Sequence, residues 1–510
     1  MSDTFFWHDY ETWGSNPFRD RACQFAGVRT DLDFNVIDQP LVQFCRPAND
    51  FLPSPEACLV TGITPQKANL EGVPEAEFIA LIHAQMAEPG TCTVGYNNIR
   101  FDDEITRHTL YRNFFDPYAR EWQQGNSRWD LIDVVRLAYA LRPEGIEWPM
   151  VEDEQTKDNV VSFRLELLTK ANGISHTAAH DAMSDVYATI AIAKLLKEKQ
   201  PRLFDYAFQH RSKQSLRLLV DIDNCKPLFH VSSKYPAKLG CCAVVVPLAP
   251  HPVNPNGVIV VDLRVDPSDW INLSAEELKG RIFVATDVLQ EQGIERVPLK
   301  VVHLNKCPVL VETNILKSID PARLQKFQLN GDQLRQHLQI IRSTLNESGA
   351  GLADKIAEVF RPEERVAIDG EDSATSESGP GPGPESTPDP DLMLYSGGFF
   401  SRADRQKMDF LRQQSPDTLA EVALDFDDPR IPEMLFRYRA RNYPDSLHEA
   451  ELERWERYRY LCLTTHEAEH NFNTYFAALK KLAEEFADNK SKMAVLEDLH
   501  IYGESIIPFI

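Results

Sequence analysis

The first hydrophobic segment of the chain, Thr4–Thr12, combines aromatic and apolar residues with two acids and contains neither Pro nor Gly, which is typical of a buried strand. Asp9 and Glu11 stand two residues apart near its end, and alternate side chains of a strand point to the same face. Adjacent carboxylates repel each other unless one is protonated or a cation lies between them. Mg²⁺ prefers such oxygen ligands, although solvated acids are the better explanation of an isolated Asp-x-Glu.

Strand-like and helix-like patterns then alternate to about residue 200. Strands are predicted at 23–29, 41–45 and 91–96, and a polar surface loop at 151–159. Helices are predicted at 55–88 (with breaks at Gly62 and Pro65), 102–115, 128–142 (after a strand-like or loop entry), 164–171 and 180–197. The first three strands, separated by polar turns, predict an antiparallel meander. The following alternation predicts one α/β domain at 1–200.

The pattern changes after Pro201. Short β-rich runs at 227–231, 242–247, 257–263, 297–304 and 309–312 predict a small barrel, and helical patterns follow at 331–345 and 352–360. We therefore expect a second domain at 201–360. An extension at 361–398 includes a stretch rich in Pro, Gly, Ser and acids, 369–391, that predicts a flexible linker. Residues 399–510 are patterned as a helical domain.

Composition narrows the setting of the protein. The chain has 510 residues, enough for about two or three domains. Its nine cysteines are scattered without a Cys-x-x-Cys pair, which disfavours zinc sites and a disulfide framework. It shows neither a signal peptide nor a long apolar run, so a cytoplasmic location is expected. The net charge of −23 argues against attraction of duplex DNA to the whole surface, but a local basic track is sufficient for a nucleic-acid enzyme.

Two later positions add acids to the first pair. Asp102 lies where a predicted strand gives way to a helix, and Asp185 follows His180 by five residues. Five helical residues turn about 500°, so the side chains of His180 and Asp185 diverge by about 140° if both are helical. They serve one site only if His180 precedes the helix. Four acids and a histidine in this order are typical of two-metal phosphoryl transfer, with the histidine accepting a proton from water.

Three motifs resemble the DEDDh exonuclease superfamily, which has an RNase H-like fold. They are Asp-Tyr-Glu-Thr from Asp9, Tyr-Asn-Asn-x-Arg-Phe-Asp-Asp-Glu at 96–104 and His-Asp-Ala-Met-x-Asp at 180–185. Further segments resemble bacterial exonuclease I along almost the whole chain; they lie at 126–130, 141–145, 162–166, 168–173, 303–310 and 436–442. The loop at 151–159 and the linker at 369–391 are longer than expected for that family.

The resemblance implies a fold and an activity. It implies an RNase H-like nuclease domain, an SH3-like barrel domain and an all-helical C-terminal domain around a central groove. The expected activity is processive 3′-to-5′ degradation of single-stranded DNA to 5′-mononucleotides in DNA repair and recombination. Two Mg²⁺ ions per site are expected, Mn²⁺ is an expected substitute, and the protein is expected to be a monomer.

The resemblance also implies residue roles. The metal ligands would be Asp9, Glu11, Asp102 and Asp185, with His180 as the general base and Glu11 also touching substrate. Arg164 matches the residue that contacts the phosphate of the terminal nucleotide, and other DNA contacts are implied at Arg107, Tyr118, Trp122, Arg136 and Phe163. Asp103 and Asp181 are interpreted as solvated or capping acids.

Arginines interleave with aromatic residues in the stretch that holds several of these contacts. Such a mixture suits a single strand, which is bound through phosphates and base stacking. The stretch contains Arg107, Tyr111, Arg112, Tyr118, Trp122, Arg128, Trp129 and Arg136, of which two or three are expected to be structural. A second candidate for DNA contact is 437–441; a solvated basic helix face explains it equally well.

A partner site is implied as well. The family binds the acidic, Phe-ending tail of single-stranded DNA-binding protein, and a matching pocket would contain Arg142, Tyr206, Lys226, Lys317 and Arg342. Lys317 stands where Arg is expected, which puts one bidentate contact in doubt. The chain's own end, 506–510, faintly resembles such a tail and is hypothesised to compete for the pocket, although packing of an apolar terminus is the better interpretation.

Two alternatives stay open. One is a DEDDh nuclease that acts on RNA or proofreads a polymerase, which the large accessory half disfavours. The other is a non-catalytic scaffold for DNA or single-stranded DNA-binding protein, which the complete set of catalytic residues disfavours.

Overall fold

The computed structural model describes residues 3–153, 157–176, 181–348, 351–362, 389–465 and 471–509. These residues pack as two compact units. Unit 1 holds the described parts of 1–127, 176–190 and 381–510, and unit 2 holds those of 128–175 and 191–380. The two units divide the predicted first domain, 1–200, between them, and the predicted domain boundaries stay predictions.

The strands are β1 (Thr4–Thr12), β2 (Ala22–Thr30), β3 (Leu41–Phe44), β4 (Thr91–Gly95), β5 (Ser127–Asp130), β6 (Met150–Glu152), β7 (Asn159–Val161), β8 (Leu228–Val231), β9 (Cys242–Pro250), β10 (Gly257–Asp262), β11 (Leu299–His303) and β12 (Val309–Glu312).

The helices of the first half are α1 (Pro55–Thr61), α2 (Pro65–Glu71), α3 (Glu75–Met86), α4 (Asp102–Arg112), α5 (Leu131–Leu141), α6 (Leu165–Ala171), α7 (Ala182–Lys199), α8 (Pro201–Gln209) and α9 (Lys213–Leu219). Those of the second half are α10 (Ala275–Ile282), α11 (Thr286–Glu291), α12 (Pro321–Lys326), α13 (Gly331–Ser348), α14 (Gly351–Val359), α15 (Arg402–Leu411), α16 (Pro416–Glu421), α17 (Arg430–Asn442), α18 (Glu449–Thr464), α19 (Phe472–Glu485) and α20 (Lys490–Ser505). Among the described residues, none of these helices is long and apolar enough to span a lipid bilayer.

The sheet of unit 1 runs in the order β3-β2-β1-β4. β1 pairs antiparallel with β2, β2 pairs antiparallel with β3, and β1 pairs parallel with β4. The predicted antiparallel meander is therefore confirmed. Asp9 lies opposite Ala26 and Glu11 opposite Gln24 of β2. Both acids therefore belong to the part of β1 that pairs with β2, and β1 is an interior strand of the sheet.

The two faces of β1 have different surroundings. On one face Phe6 and Tyr10 join a core cluster with Phe25 and Phe78. The other face carries Phe5 and Trp7, and the Trp7 ring lies 5.2 Å from that of Phe5. Because side chains alternate along a strand, Asp9 and Glu11 continue this second face beyond its aromatic part. The aromatic packing fixes the register of the strand that carries the acids.

Unit 2 contains an antiparallel sheet in the order β11-β10-β9-β8-β12. Every β-rich run predicted between 227 and 312 forms a strand of this sheet. Its core includes Leu216, Val245, Val260 and Leu310. The predicted helices at 331–345 and 352–360 are confirmed as α13 and α14.

The prediction of a surface loop at 151–159 is wrong at both ends. β6 and β7 pair as an antiparallel hairpin in which Val151 lies opposite Val160. Cross-strand pairing of β-branched residues stabilises such a hairpin even where the sequence around it is polar. Residues 154–156 lie outside the described residues.

The C-terminal helices of unit 1 share a core with the start of the chain. Leu479 and Leu499 pack in one cluster with Trp13, Cys58 and Ile63. The predicted linker at 369–391 falls outside the described residues up to 388. Its last residues are packed against the protein, because Asp391 is 4 % exposed and forms ion pairs with two arginines of α17.

Candidate active site

Three carboxylates meet at the end of β1. Asp9 and Glu11 come from the strand, and Asp185 comes from the first turn of α7. One ligand oxygen from each lies within 4.8 Å of the others, close enough to coordinate one metal ion. The structure thus brings together three of the four predicted metal ligands, and their roles stay predictions.

Asp102 is the fourth predicted ligand and begins α4. Its Oδ1 accepts a hydrogen bond of 3.1 Å from the backbone N–H of Tyr10, the residue between Asp9 and Glu11. Asp102 is 4 % exposed, and its charge contributes to raising the pKa of Asp9. A helix N-terminus stabilises a carboxylate through its free N–H groups, so Asp102 is held beside the other three acids.

The electrostatics of this cluster favour a cation. Burial raises the pKa of Asp9 well above its ordinary value, and the charges of Asp102, Glu11 and Asp185 raise it further. Burial and then Asp185 raise the pKa of Glu11 to about 9. Both shifts reflect the free-energy cost of placing like charges close together and away from water. A divalent cation would offset the repulsion between the carboxylates. Mg²⁺ and Mn²⁺ fit a site in which every donor atom is an oxygen.

The predicted general base, His180, lies outside the described residues. Its place relative to the cluster therefore stays a prediction, and the described helix α7 begins at Ala182. A different histidine contacts the cluster, because His176 Nε2 lies 2.5 Å from Asp185 Oδ1. Sequence reasoning missed His176, since nine residues separate it from Asp185 and no periodicity relates a loop residue to a helix.

Asp181 and Asp103, the two acids next to predicted metal ligands, have different surroundings in the structure. Asp181 caps α7, because its Oδ2 accepts a hydrogen bond of 3.1 Å from the N–H of Ser184, which confirms the capping interpretation. Asp103 is fully buried and pairs with Arg120 at 2.9 Å, so neither a solvated nor a capping interpretation describes it. Its helix, α4, is buried along its whole length, which the sequence pattern did not reveal.

Three predicted DNA contacts lie in unit 1. Trp122 is 66 % exposed and presents an aromatic ring to solvent. Arg107 is 5 % exposed, binds both oxygens of Glu121 and lies 5.4 Å from the ring of Tyr118. A phosphate at Arg107 would therefore compete with a carboxylate already in place. The ring of Phe399, which is 88 % exposed, lies 6.2 Å from that of Tyr118, a contact between residues too far apart in sequence for a local pattern to predict.

The other predicted contacts lie in unit 2. The side chain of Arg164 is 72 % exposed and pairs with Glu166 at 2.5 Å. Arg136 pairs with Asp133 at 2.6 Å and lies 5.6 Å from the ring of Phe163. Of these three predicted contacts, Arg164 is the one with a free approach from solvent.

Several residues of the mixed Arg and aromatic stretch are structural. Arg112 is 5 % exposed and binds Glu75 at 2.9 Å, and Trp129 packs between the rings of Phe204 and Phe208. Tyr111, at 3 % exposed, belongs to a core cluster of unit 1. Six of the eight residues of this stretch are at most 8 % exposed, which is more than the two or three expected to be structural.

The basic run on α17 is not a solvated face. Arg437 is 7 % exposed and binds Asp391 at 3.0 Å, and Arg441 binds Asp50 at 2.9 Å and Asp391 at 2.8 Å. Both guanidinium groups stay charged, but carboxylates offset their charge and the protein covers them, which limits contact with a DNA phosphate. The interpretation as a solvated face is wrong for these two residues, and a DNA contact here stays a prediction that their burial disfavours. The sequence shows the arginines but not their partners, which lie up to 391 residues away.

The predicted partner pocket gathers around β12 and the turn that follows it. Tyr206 donates its hydroxyl to the carbonyl oxygen of Leu310 at 3.0 Å, and Lys226 binds Glu312 at 2.6 Å. Arg142 donates to the hydroxyl of Ser318 at 2.7 Å, beside the exposed Lys317. Arg342 donates to the carbonyl oxygen of Asn224 at 3.0 Å, two residues before Lys226. The shared neighbourhood supports the predicted pocket, and its role in binding a partner stays a prediction.

The C-terminal segment begins with a buried residue and ends with an exposed one. Ile506 is 6 % exposed and packs in the helical core, whereas Phe509 is 90 % exposed. Ile510 lies outside the described residues. Packing therefore holds the start of this segment, and the hypothesis of competition for the pocket stays a prediction.

Comparison with family models divides the chain into three matches. Residues 6–193 match the exonuclease family, 211–362 match the exonuclease I SH3-like domain and 388–506 match the exonuclease I C-terminal domain. These matches and the solved structure described below confirm the predicted fold class, an RNase H-like exonuclease domain followed by an SH3-like domain and a helical C-terminal domain.

Full-length relatives are found as well. The chain is 46 % identical over 507 residues to exodeoxyribonuclease I of Escherichia coli, with 99 % of each chain covered. It is 44 % identical over 504 residues to exodeoxyribonuclease I of Haemophilus influenzae, again with 99 % of each covered. A crystal structure of Escherichia coli exonuclease I in complex with a dA16 oligonucleotide matches with a TM-score of 0.87 at 45 % identity, covering 99 % of this chain and 100 % of that one. The chain therefore belongs to the exodeoxyribonuclease I family.

Proposed function

We propose that this protein is a processive 3′-to-5′ exonuclease that hydrolyses single-stranded DNA to 5′-mononucleotides with divalent metal ions. The observation that carries the proposal is the meeting of Asp9, Glu11 and Asp185 within 4.8 Å, with Asp102 hydrogen-bonded beside them. Because the whole chain belongs to the exodeoxyribonuclease I family, we assign the reaction of that family to this cluster. A role in DNA repair and recombination follows from the same activity.

The donor set determines which metals suit the site. Asp9, Glu11, Asp102 and Asp185 would hold two Mg²⁺ ions, with Mn²⁺ as a substitute, because hard oxygen ligands suit both. Bound there, the ions would activate water and stabilise charge on the phosphate. A solved structure at 45 % identity is described as the zinc-ion-bound form of an Escherichia coli exonuclease I complex with single-stranded DNA, which supports a metal site without fixing its native ion.

The chain's own groups perform the remaining tasks. His180, in the segment before α7, would accept the proton of the attacking water, which an imidazole does well near neutral pH. Arg164 would hold the terminal phosphate through its exposed guanidinium. Trp122 would stack on a base through its exposed ring. The complex of the Escherichia coli relative with dA16 supports a single strand as the substrate.

We also propose a partner, the acidic tail of single-stranded DNA-binding protein. The ring of Tyr206 and the cationic residues Arg142, Lys226, Lys317 and Arg342 lie near β12 and the turn after it, a combination that suits an acidic peptide with an aromatic end. A structure at 44 % identity, described as single-stranded DNA-binding protein with exonuclease I in complex with an inhibitor, supports this partner class.

Digestion of 5′-labelled substrates tests the proposal. Single-stranded DNA, blunt duplex DNA and single-stranded RNA are incubated with Mg²⁺ or with EDTA, using wild type and Asp185→Asn. We expect the DNA strand to shorten from its 3′ end, and both EDTA and the substitution to abolish this. An excess of unlabelled competitor strand, added after the start, measures processivity.

Other outcomes of this experiment are informative. Preferential loss of RNA would keep the site and change the substrate. Absence of metal-dependent shortening with every substrate, from a protein with a normal thermal transition, would contradict the proposal and favour the binding scaffold.

A further inference from the structure

The contact between His176 and Asp185 has no place in the chemistry described so far. His176 Nε2 lies 2.5 Å from Asp185 Oδ1, and the His176 side chain is only 5 % exposed. Asp185 is 18 % exposed and offers one ligand atom to the cluster with Asp9 and Glu11. An almost buried imidazole therefore contacts a carboxylate that meets two others.

We infer that His176 is a positioning residue, which holds the carboxylate of Asp185 in the orientation that binds the metal. The inference rests on the proposed metal-dependent function. With a proton on Nε2, the imidazole donates a hydrogen bond to Oδ1, and this limits rotation of the carboxylate about its terminal torsion. Outer hydrogen bonds of this kind orient metal ligands and are worth about 10- to 100-fold in metal affinity or activity.

The geometry explains why such a hydrogen bond is needed here. Asp185 lies in the first turn of a helix, whereas Asp9 and Glu11 lie on a strand whose register is fixed by aromatic packing. Without a metal ion, charge on the two strand carboxylates would repel that of Asp185, although their ligand oxygens lie within 4.8 Å of one another. A donor on Asp185 offsets part of that repulsion and keeps the ligand in place before the ion arrives, which lowers the ordering cost of binding.

This role differs from that of a general base. A base must reach the attacking water, whereas the contact of His176 is with a carboxylate oxygen. Loss of a base lowers kcat at every metal concentration. Loss of a positioning residue weakens metal binding, so added metal restores kcat.

Titration of the DNA-free full-length protein with Mn²⁺, followed by calorimetry, tests the inference directly. His176→Leu removes the donor, and His176→Gln keeps an N–H near the position of Nε2. His500→Leu makes the same chemical change at an exposed site, where His500 pairs with Glu504 at 3.3 Å. We expect His176→Leu to weaken Mn²⁺ binding about 10-fold or more. His176→Gln and His500→Leu should stay within about 3-fold of wild type, and raising Mn²⁺ should restore kcat of His176→Leu.

Each other outcome has a clear meaning. Absence of Mn²⁺ binding by wild type would contradict the metal site of the proposed function. Normal Mn²⁺ binding by a folded His176→Leu variant, or equal weakening by Gln and Leu, would overturn the positioning role alone. If His176→Leu does not fold, a crystal structure of the wild type with Mn²⁺ decides. His176 still within hydrogen-bond distance of Asp185 supports the inference, and His176 bound to the ion or turned away overturns it.

Discussion

Asp103 and Arg120 form a 2.9 Å ion pair in which neither side chain is exposed to solvent. The preceding residue, Asp102, instead accepts a hydrogen bond from the backbone N–H of Tyr10 beside the carboxylate cluster. Adjacent aspartates at the start of α4 thus have different tasks, one structural and one at the candidate metal site.

Substitution of these two aspartates separates stability from activity. Asp103→Ala leaves the Arg120 charge buried without its partner, so we expect a loss of about 3–5 kcal/mol in the free energy of unfolding. Asp102→Asn keeps an acceptor for Tyr10 and removes one charge from the cluster. We expect it to retain wild-type stability and lose DNA hydrolysis. Urea unfolding and nuclease assays measure both, and the reverse pattern would contradict these assignments.

His108 makes stability depend on pH. It lies on α4 at 3 % exposure between the rings of Phe18 and Tyr395, and burial, aided by Arg112 and Arg107, lowers its pKa to about 3. Between its ordinary pKa of 6.5 and about 3, the unfolded chain binds a proton that the folded chain rejects. Stability from this group is therefore complete above pH 6.5 and is lost as the pH falls, at no more than about 1.4 kcal/mol per pH unit.

The variant His108→Phe tests this dependence. It removes the titrating group and keeps an aromatic ring, so the fall in unfolding free energy from pH 6.5 to pH 4 should be smaller than in wild type. Equal slopes in the two proteins, measured by urea unfolding at each pH, would show that His108 does not contribute.

Asp391 anchors the end of the predicted linker to α17. It binds Arg437 at 3.0 Å and Arg441 at 2.8 Å with its side chain 6 % exposed, and the two arginines hold its pKa at about 2. Asp391→Ala leaves two buried guanidinium groups short of a partner, so we expect a loss of about 3–5 kcal/mol.

Asp389 supplies the matched control. It binds the same Arg437 nitrogen at 2.5 Å, but its side chain is 38 % exposed. Solvent screens such a pair, so Asp389→Ala should cost about 1 kcal/mol or less. Thermal unfolding of the two variants measures both losses of stability. Similar losses would show that burial of the carboxylate does not determine how much each ion pair contributes.

Two tryptophans seven residues apart should differ in their effects on DNA binding. Trp122 is 66 % exposed, so Trp122→Ala should weaken single-strand binding by about 1–3 kcal/mol, roughly 5- to 150-fold in Kd, with stability unchanged. Trp129 packs on Phe204 at 5.0 Å, so Trp129→Ala should destabilise the fold by about 3–5 kcal/mol. Fluorescence anisotropy with a labelled oligonucleotide measures the first effect. Unchanged binding by Trp122→Ala would exclude stacking at this residue.

The proposed partner pocket predicts a charge-dependent effect. Arg142→Ala should weaken binding of an acidic, Phe-ending peptide by about 1.5–3 kcal/mol, because a charged donor is lost. Lys238→Ala is the control, since Lys238 is also a partly exposed cation of unit 2 and pairs with Asp158 at 3.6 Å. Anisotropy of a labelled peptide at two salt concentrations measures both. Equal weakening by the two variants would indicate non-specific charge attraction.

Much of the molecule was predictable from local pattern. The uninterrupted aromatic run of β1 and the i, i+2 spacing of Asp9 and Glu11 specify a strand with two acids on one face. The β-rich runs between 227 and 312 likewise have enough alternation and turn residues to identify each strand. These features depend on backbone geometry with fixed periods of 2.0 and 3.6 residues, which the order of residues alone sets.

Only the tertiary structure decided which charges are buried and which residues meet. The Arg437 and Arg441 run has the composition of a solvated helix face, and distant carboxylates at Asp50 and Asp391 turn it into a buried network. Asp102 and Asp103 are identical in sequence terms, yet one faces the metal-site acids and the other faces Arg120. His176 meets Asp185 although nine residues separate them and neither a strand nor a helix period relates the two. Burial and long-range pairing depend on the packing of elements far apart in sequence, and no local pattern encodes that packing.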